Sequence, residues 1–189
     1  MKALYSLLVL SALLFSSCGT RDDASPRRRA YPRVNLYDTV YKPVDSFPLR
    51  FEANSAVPLR MPRAGWLDIA YPRYGATVHL TVADFPSGRL ADEIDRRRER
   101  MSLNLYGMTA ETRHISSADG SFESVLLVSR DPIATPLQFL AVDSCGTIVS
   151  GAAYFPGLDA SSAADPIAPV VSAVERDLVH ALKNLSRWN

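Results

Sequence analysis

The sequence predicts an α+β domain: a largely antiparallel sheet packed with two main helices, one mid-chain and one C-terminal. Three observations carry this expectation. Ser87 to Gly107 and Asp165 to Trp188 both repeat apolar residues at the helical period. Several other segments alternate apolar and polar residues with a period of two, as half-buried strands do. These strand-like pieces come in runs on either side of a helix, which argues against a doubly wound parallel sheet.

The first thirty residues stand apart from that domain. Lys2 and the apolar run Ala3 to Phe15 read as the start and core of a secretory signal, since a bilayer-spanning helix needs roughly 20 apolar residues. Ser16 and Ser17 directly precede Cys18. This resembles a bacterial lipobox, in which the cysteine sulfur takes a diacylglyceryl group and the chain is cut before it; an ordinary signal with an incidental cysteine is the alternative. The expected division is a lipoprotein signal peptide at 1–17, a lipidated Cys18 with a tether to residue 30, and a single α+β domain over 31–189. Cys145 is the only other cysteine, so a lipidated Cys18 leaves no intramolecular disulfide.

Within the domain, proline punctuates the first strands: Val34 to Tyr41, Leu49 to Ala53, and Trp66 to Tyr71, stopped by Pro72. Val78, Leu80 and Val82 alternate with polar neighbours in Ala76 to Val82, which leaves His79 on the polar face. In the first helix, Leu90, Ala91, Ile94, Met101 and Leu105 form the stripe, with Ser87 as N-cap and Gly107 as stop. Asp92/Arg96 and Glu93/Arg97 are spaced to pair, and Arg97 and Arg98 fall beside the stripe, where their stems would cover the sheet and their heads reach water. Strands follow at Thr112 to Ser116, Phe122 to Ser129, Leu137 to Asp143 and Thr147 to Phe155. The last two read as a hairpin through Asp143-Ser144-Cys145-Gly146, and Gly151 marks a bulge or a close backbone approach. The final helix takes Asp165 as N-cap and Pro166 as first residue. Ile167, Val170, Val171, Val174, Leu178, Ala181, Leu182, Leu185 and Trp188 make its apolar side, while Glu175, Arg176, His180, Lys183 and Arg187 point elsewhere. This order of elements looks like a PsbP/Mog1-type sandwich, a likeness of fold alone.

Charge excludes some functions. Twenty-one Lys and Arg against 20 Asp and Glu create no overall field to recruit nucleic acid. Ser144, Cys145 and Asp143 are adjacent but diverge in a turn, and His79, His114 and His180 fall on separate elements, so no nucleophile–base pair is expected. No catalytic, cofactor-binding or metal-ligating residues are assigned. The candidate partner surface is Arg27, Arg28, Arg29, Tyr31 and Arg33, together with Asp143 and Ser144. A second possibility is a groove for glycan or peptide lined by Tyr31, Tyr71, Tyr74, Tyr154 and Phe155 with Arg29 and Arg33; its alternative is that these rings pack the core.

Several blocks together resemble one family, the gliding motility lipoprotein GldD of Bacteroidota. They are Pro26 to Val34, Trp66 to Pro72, Thr135 to Ser144, Gly151 to Phe155, and Asp165 to Val170 continued by Glu175-Arg176-Asp177-Leu178 and closed by Trp188. Arg28 stands where a proline is common in the family. The resemblance implies a non-enzymatic cell-envelope lipoprotein, anchored at the outer membrane by its lipid, that supports gliding and the type IX secretion machinery. Its partners would be the membrane and other envelope proteins.

Overall fold

A computed structural model describes residues 35–158 and 167–188. The chain runs β1 (Tyr41–Pro43), β2 (Glu52–Asn54), β3 (Leu59–Arg60), β4 (Trp66–Tyr71), a 3-10 turn (Pro72–Tyr74) and β5 (Ala76–Asp84). Then come α1 (Ser87–Leu103), β6 (Glu111–Ser116), β7 (Phe122–Val128), β8 (Leu137–Asp143), β9 (Thr147–Tyr154) and α2 (Ala168–Lys183). Among the described residues, β3 to β9 form one seven-stranded sheet in the order β3-β4-β5-β9-β8-β7-β6. Every neighbouring pair is antiparallel. The expected α+β class is what the chain forms.

The topology explains why a helix interrupts the strands. β5 lies inside the sheet and β6 at its far edge, so α1 makes the long crossing between them. From β6 the chain meanders back until β9 pairs with β5, Thr77 opposite Tyr154 through to Asp84 opposite Thr147. β8 is buried along almost its whole length because both faces are covered. Its Phe139 joins Leu67, Ile69, Val78, Leu126 and Val149 under Val171, Val174, Leu178 and Leu182 of α2. Its Leu140 faces the other way and packs with Ile148 against Met101, Leu90 and Ile94 of α1. A strand covered twice reads as a near-continuous apolar run.

Gly151 is the close approach its position suggests. A Cβ there would lie 2.4 Å from the His79 carbonyl oxygen and 2.8 Å from the Phe139 ring. Only a glycine lets β9 sit against that ring.

Some boundaries differ from expectation. Residues 35–40 form no strand, and β1 begins only at Tyr41. The backbone groups of this segment go elsewhere: the Tyr37 N–H donates to the Tyr74 hydroxyl (2.7 Å), and the Asp38 carbonyl accepts from the Asn54 amide (2.8 Å). Of Leu49 to Ala53, only the end is strand, with Arg50 bridged to Ser186. α1 has Pro86 at its N-cap and no side-chain cap, and it stops at Leu103, ahead of Gly107. Asp165 and Pro166 lie outside the described residues. Leu185 and Trp188 follow α2 and lie beyond its last turn.

Candidate functional site

The sheet-facing side of α2 carries two carboxylates beside its apolar stripe. Asp177 is 5% exposed. Its Oδ1 accepts from the Tyr41 hydroxyl (2.9 Å), and its Oδ2 accepts from the Asn54 amide (3.1 Å) and the Tyr71 hydroxyl (3.3 Å). Burial, followed by the Asp177 charge, pushes both phenols above the usual tyrosine range. They are therefore held as donors. Asn54 continues the network to residues 38 and 56, so one carboxylate fastens β1, β2 and β4 to the helix.

Glu175, also 5% exposed, sits on the opposite flank of the stripe. Arg113 of β6 contacts its Oε1, and Arg130 from the β7–β8 connection lies 3.1 Å from its Oε2. Arg113 also forks onto Glu111 at 2.9 and 3.2 Å. The expectation that Glu175 points away from the packed side is thus corrected. Two arginines reach it from the sheet and make its burial tolerable. His180 is corrected as well: it stacks on Tyr41 with ring centroids 3.6 Å apart, and its Nε2 lies 2.7 Å from Glu52.

The third buried carboxylate is Asp143, at the end of β8. Its Oδ1 accepts the backbone N–H groups of Cys145 (3.0 Å) and Thr147 (2.7 Å), and its Oδ2 accepts Arg187 Nε (2.6 Å). Thr147 donates onward to Asp84 (2.6 Å). Burial works to raise the Asp143 pKa, but the Arg187 hydrogen bond and the backbone donors outweigh it and hold the group below the usual carboxylate range. Of the residues proposed as a partner surface, Asp143 is turned inward and shapes the turn, while Ser144 is exposed at its tip. Arg27, Arg28, Arg29, Tyr31 and Arg33 lie outside the described residues, as does Cys18.

The remaining candidates are dispersed. His79 is exposed and paired with Asp68 at 2.7 Å, His114 is exposed on β6, and Cys145 is an exposed free thiol. Tyr71 and Phe155 are core residues, Tyr74 stacks on Tyr71, and Tyr154 faces outward, so the described rings line no common groove. The apolar void bounded by Phe47, Phe139 and Leu178 measures about 20 Å³, room for about one water, while the larger spaces, such as the cleft of about 440 Å³ between Arg50, Asp119, Lys183 and Trp188, are open to solvent and lie away from these tyrosines. Arg97 departs from expectation: its guanidinium lies over the sheet on Ser150 and Thr81, with Nε on Glu93 at 3.1 Å. Arg98 reaches solvent as expected, and Arg96 pairs with Glu93, not with Asp92. No grouping of three metal-ligating side chains occurs among the described residues.

Sequence reasoning missed Asp177, Tyr41, Asn54 and Arg113 as a set. One signal was present: Glu175 and Asp177 bracket the centre of the apolar stripe at 100° per residue, where a helix resting on a sheet still touches it.

The class that fold and site define is an α+β domain of antiparallel sheet and two helices, its terminal helix fastened by buried ion pairs and hydrogen bonds. Residues 21–188 match the family described as gliding motility lipoprotein GldD, and the chain belongs to that family. Membership makes it a lipoprotein of the gliding-motility type, held at a membrane of the cell envelope. No helix among the described residues is long and apolar enough to cross a membrane. No curated protein matches the chain.

Proposed function

We propose that the chain is a non-enzymatic building part of the envelope machinery for gliding and type IX secretion, held in place by a diacylglyceryl group on Cys18. One observation carries the non-enzymatic reading. Asp143, Glu175 and Asp177, the buried carboxylates, each direct their oxygens to donors on other elements of the fold. A general base needs a lone pair facing its substrate; these face the protein's own backbone, phenols and guanidinium groups. The rigid body they tie together suits a part that offers surfaces.

Tethering supplies the mechanism. Each buried methylene contributes about 0.8 kcal/mol, so two or three acyl chains anchor stably where one would not. The tether then raises the effective concentration of the domain near other envelope proteins. The basic Arg27 to Arg33 segment and the turn bearing Ser144 are the proposed contacts.

Cys18→Ala tests the anchor: the variant is expected to leave the membrane fraction while its domain stays folded. Membrane fractionation without lipid labelling would overturn it. Photocrosslinkers at Arg28 and Ser144 in intact cells test the partners. Secretion-machinery proteins in the adducts support the assembly role; a bound saccharide or peptide with no protein adduct points to a ligand-binding module instead.

A further inference from the structure

The corner after α1 exposes apolar side chains next to a basic helix face. Leu103 is 67% exposed, Tyr106 74% and Met108 36%. Tyr106 has φ +53° and Gly107 φ +80°, closed by a 2.9 Å bond from the Met108 N–H to the Leu105 carbonyl. A left-handed conformation costs a non-glycine residue about 1 kcal/mol, and here it lifts a tyrosine ring into solvent. Tyr106 has no hydrogen bond through its hydroxyl and no ring partner among the described residues.

At 100° per residue, Arg89, Arg96 and Arg100 share one face of α1 with Leu103. All three are exposed. Arg96 and Arg100 each lie 3.7 Å from Glu93, which is 14% exposed and already bound to Arg97. Asp92 and Glu99 flank the face, while Arg97 lies over the sheet and Arg98 pairs with Asp95 on another side of the helix.

We propose that this corner is a second membrane contact, in which Leu103, Tyr106 and Met108 enter the interface of an anionic bilayer and Arg89, Arg96 and Arg100 meet its headgroups. Three apolar side chains are too few for a stable protein interface, which buries roughly 800 Å² per partner. They suit a bilayer interface, where amphipathic rings settle at headgroup level and basic residues add attraction. The proposal rests on the lipoprotein reading for one thing only: the anchor brings a bilayer within reach. Docking would hold the domain against the membrane and leave its opposite surfaces for partners.

The test uses the full lipidated chain reconstituted into vesicles of phosphatidylglycerol and phosphatidylcholine, with a nitrobenzoxadiazole fluorophore on Tyr106→Cys in a Cys145→Ser background. Bright emission quenched by nitroxide-labelled acyl chains is expected, and it should weaken in pure phosphatidylcholine. Arg89→Gln, Arg96→Gln and Arg100→Gln together should lower the docking equilibrium about 100-fold, at roughly a factor of five per arginine. A chain that floats with the vesicles but carries a dim, unquenched probe overturns the docking and leaves the anchor standing. A bright probe that lipid nitroxides do not quench means that protein covers the corner, which also overturns it. A chain that does not float at all overturns both readings.

Discussion

Replacing Asp177 by alanine measures how α2 is held. The change strips the acceptor from Tyr71 and Asn54, which are 2% and 1% exposed, and from Tyr41, which can turn toward water. A buried donor left without a partner costs about 1–3 kcal/mol. Two such donors cost about 2–6 kcal/mol, and the desolvation recovered by removing a buried charge brings the net loss to about 1–4 kcal/mol. Asp177→Asn keeps one acceptor oxygen and the volume, so about 1–2 kcal/mol is expected. Urea unfolding of the mature chain carrying Cys18→Ser, followed by tryptophan fluorescence and circular dichroism, reads both variants. The midpoint should fall with an unchanged slope, and Tm should drop by about 2–16 °C for the alanine variant. If Asp177→Ala stays within about 0.5 kcal/mol of the parent, the carboxylate costs as much as its bonds return. The apolar stripe alone would then hold the helix.

Other outcomes follow from the same geometry. Gly151→Ala must push its Cβ into the His79 carbonyl and the Phe139 ring, and should cost at least about 2 kcal/mol in the same unfolding assay. Asp119 accepts from Ser117 and Ser121 and has its pKa pulled down to about 2, and Asp143 is depressed as well. Because both folded pKa values lie below the unfolded value of about 3.9, their contribution is complete above that pH and lost as pH falls through the folded values. Stability measured from pH 6 down to about 2 should therefore decline below about 4, and Arg187→Leu should shrink the Asp143 share of that slope, the backbone donors of Cys145 and Thr147 remaining. Thiol titration of the lipidated chain should find one reactive cysteine, the exposed Cys145, before and after denaturation. A second thiol on unfolding would mean that the Cys18 sulfur is unmodified.

What the sequence revealed, and what it hid, follows from where each element's partners lie. Trp66–Tyr71 and Leu137–Asp143 were legible to the residue, because alternation or a continuous apolar run coincides with a proline or turn at the end. Residues 35–40 were not, because their bonds go to Tyr74 and Asn54, far along the chain, while local pattern suggested a strand. The apolar side of α2 could be read from periodicity. The ties made by Glu175, Asp177 and His180 were marked only by the place of the two carboxylates beside that stripe, since hydropathy treats charge as solvent-facing unless the partner is known. Those partners sit on β1, β2, β4, β6 and the β7–β8 connection. Arg97 misled for the same reason: Ser150 and Thr81, across the sheet, take a head group expected in water.

The two helices divide the labour of the fold. On α2, the apolar stripe, Glu175, Asp177 and His180 are all engaged with the sheet or with the segment covering it. A partner that drew on these groups would have to break the ties that hold the helix, at a cost of several kcal/mol. α1 is built the other way. Met101 is its only buried residue, and its arginines largely face solvent, so a ligand can engage them without disturbing the core. A mutation that abolishes function while leaving the unfolding midpoint intact should therefore fall on the outer face of α1, its exposed corner or the Ser144 turn; one on the inner side of α2 should lose both together.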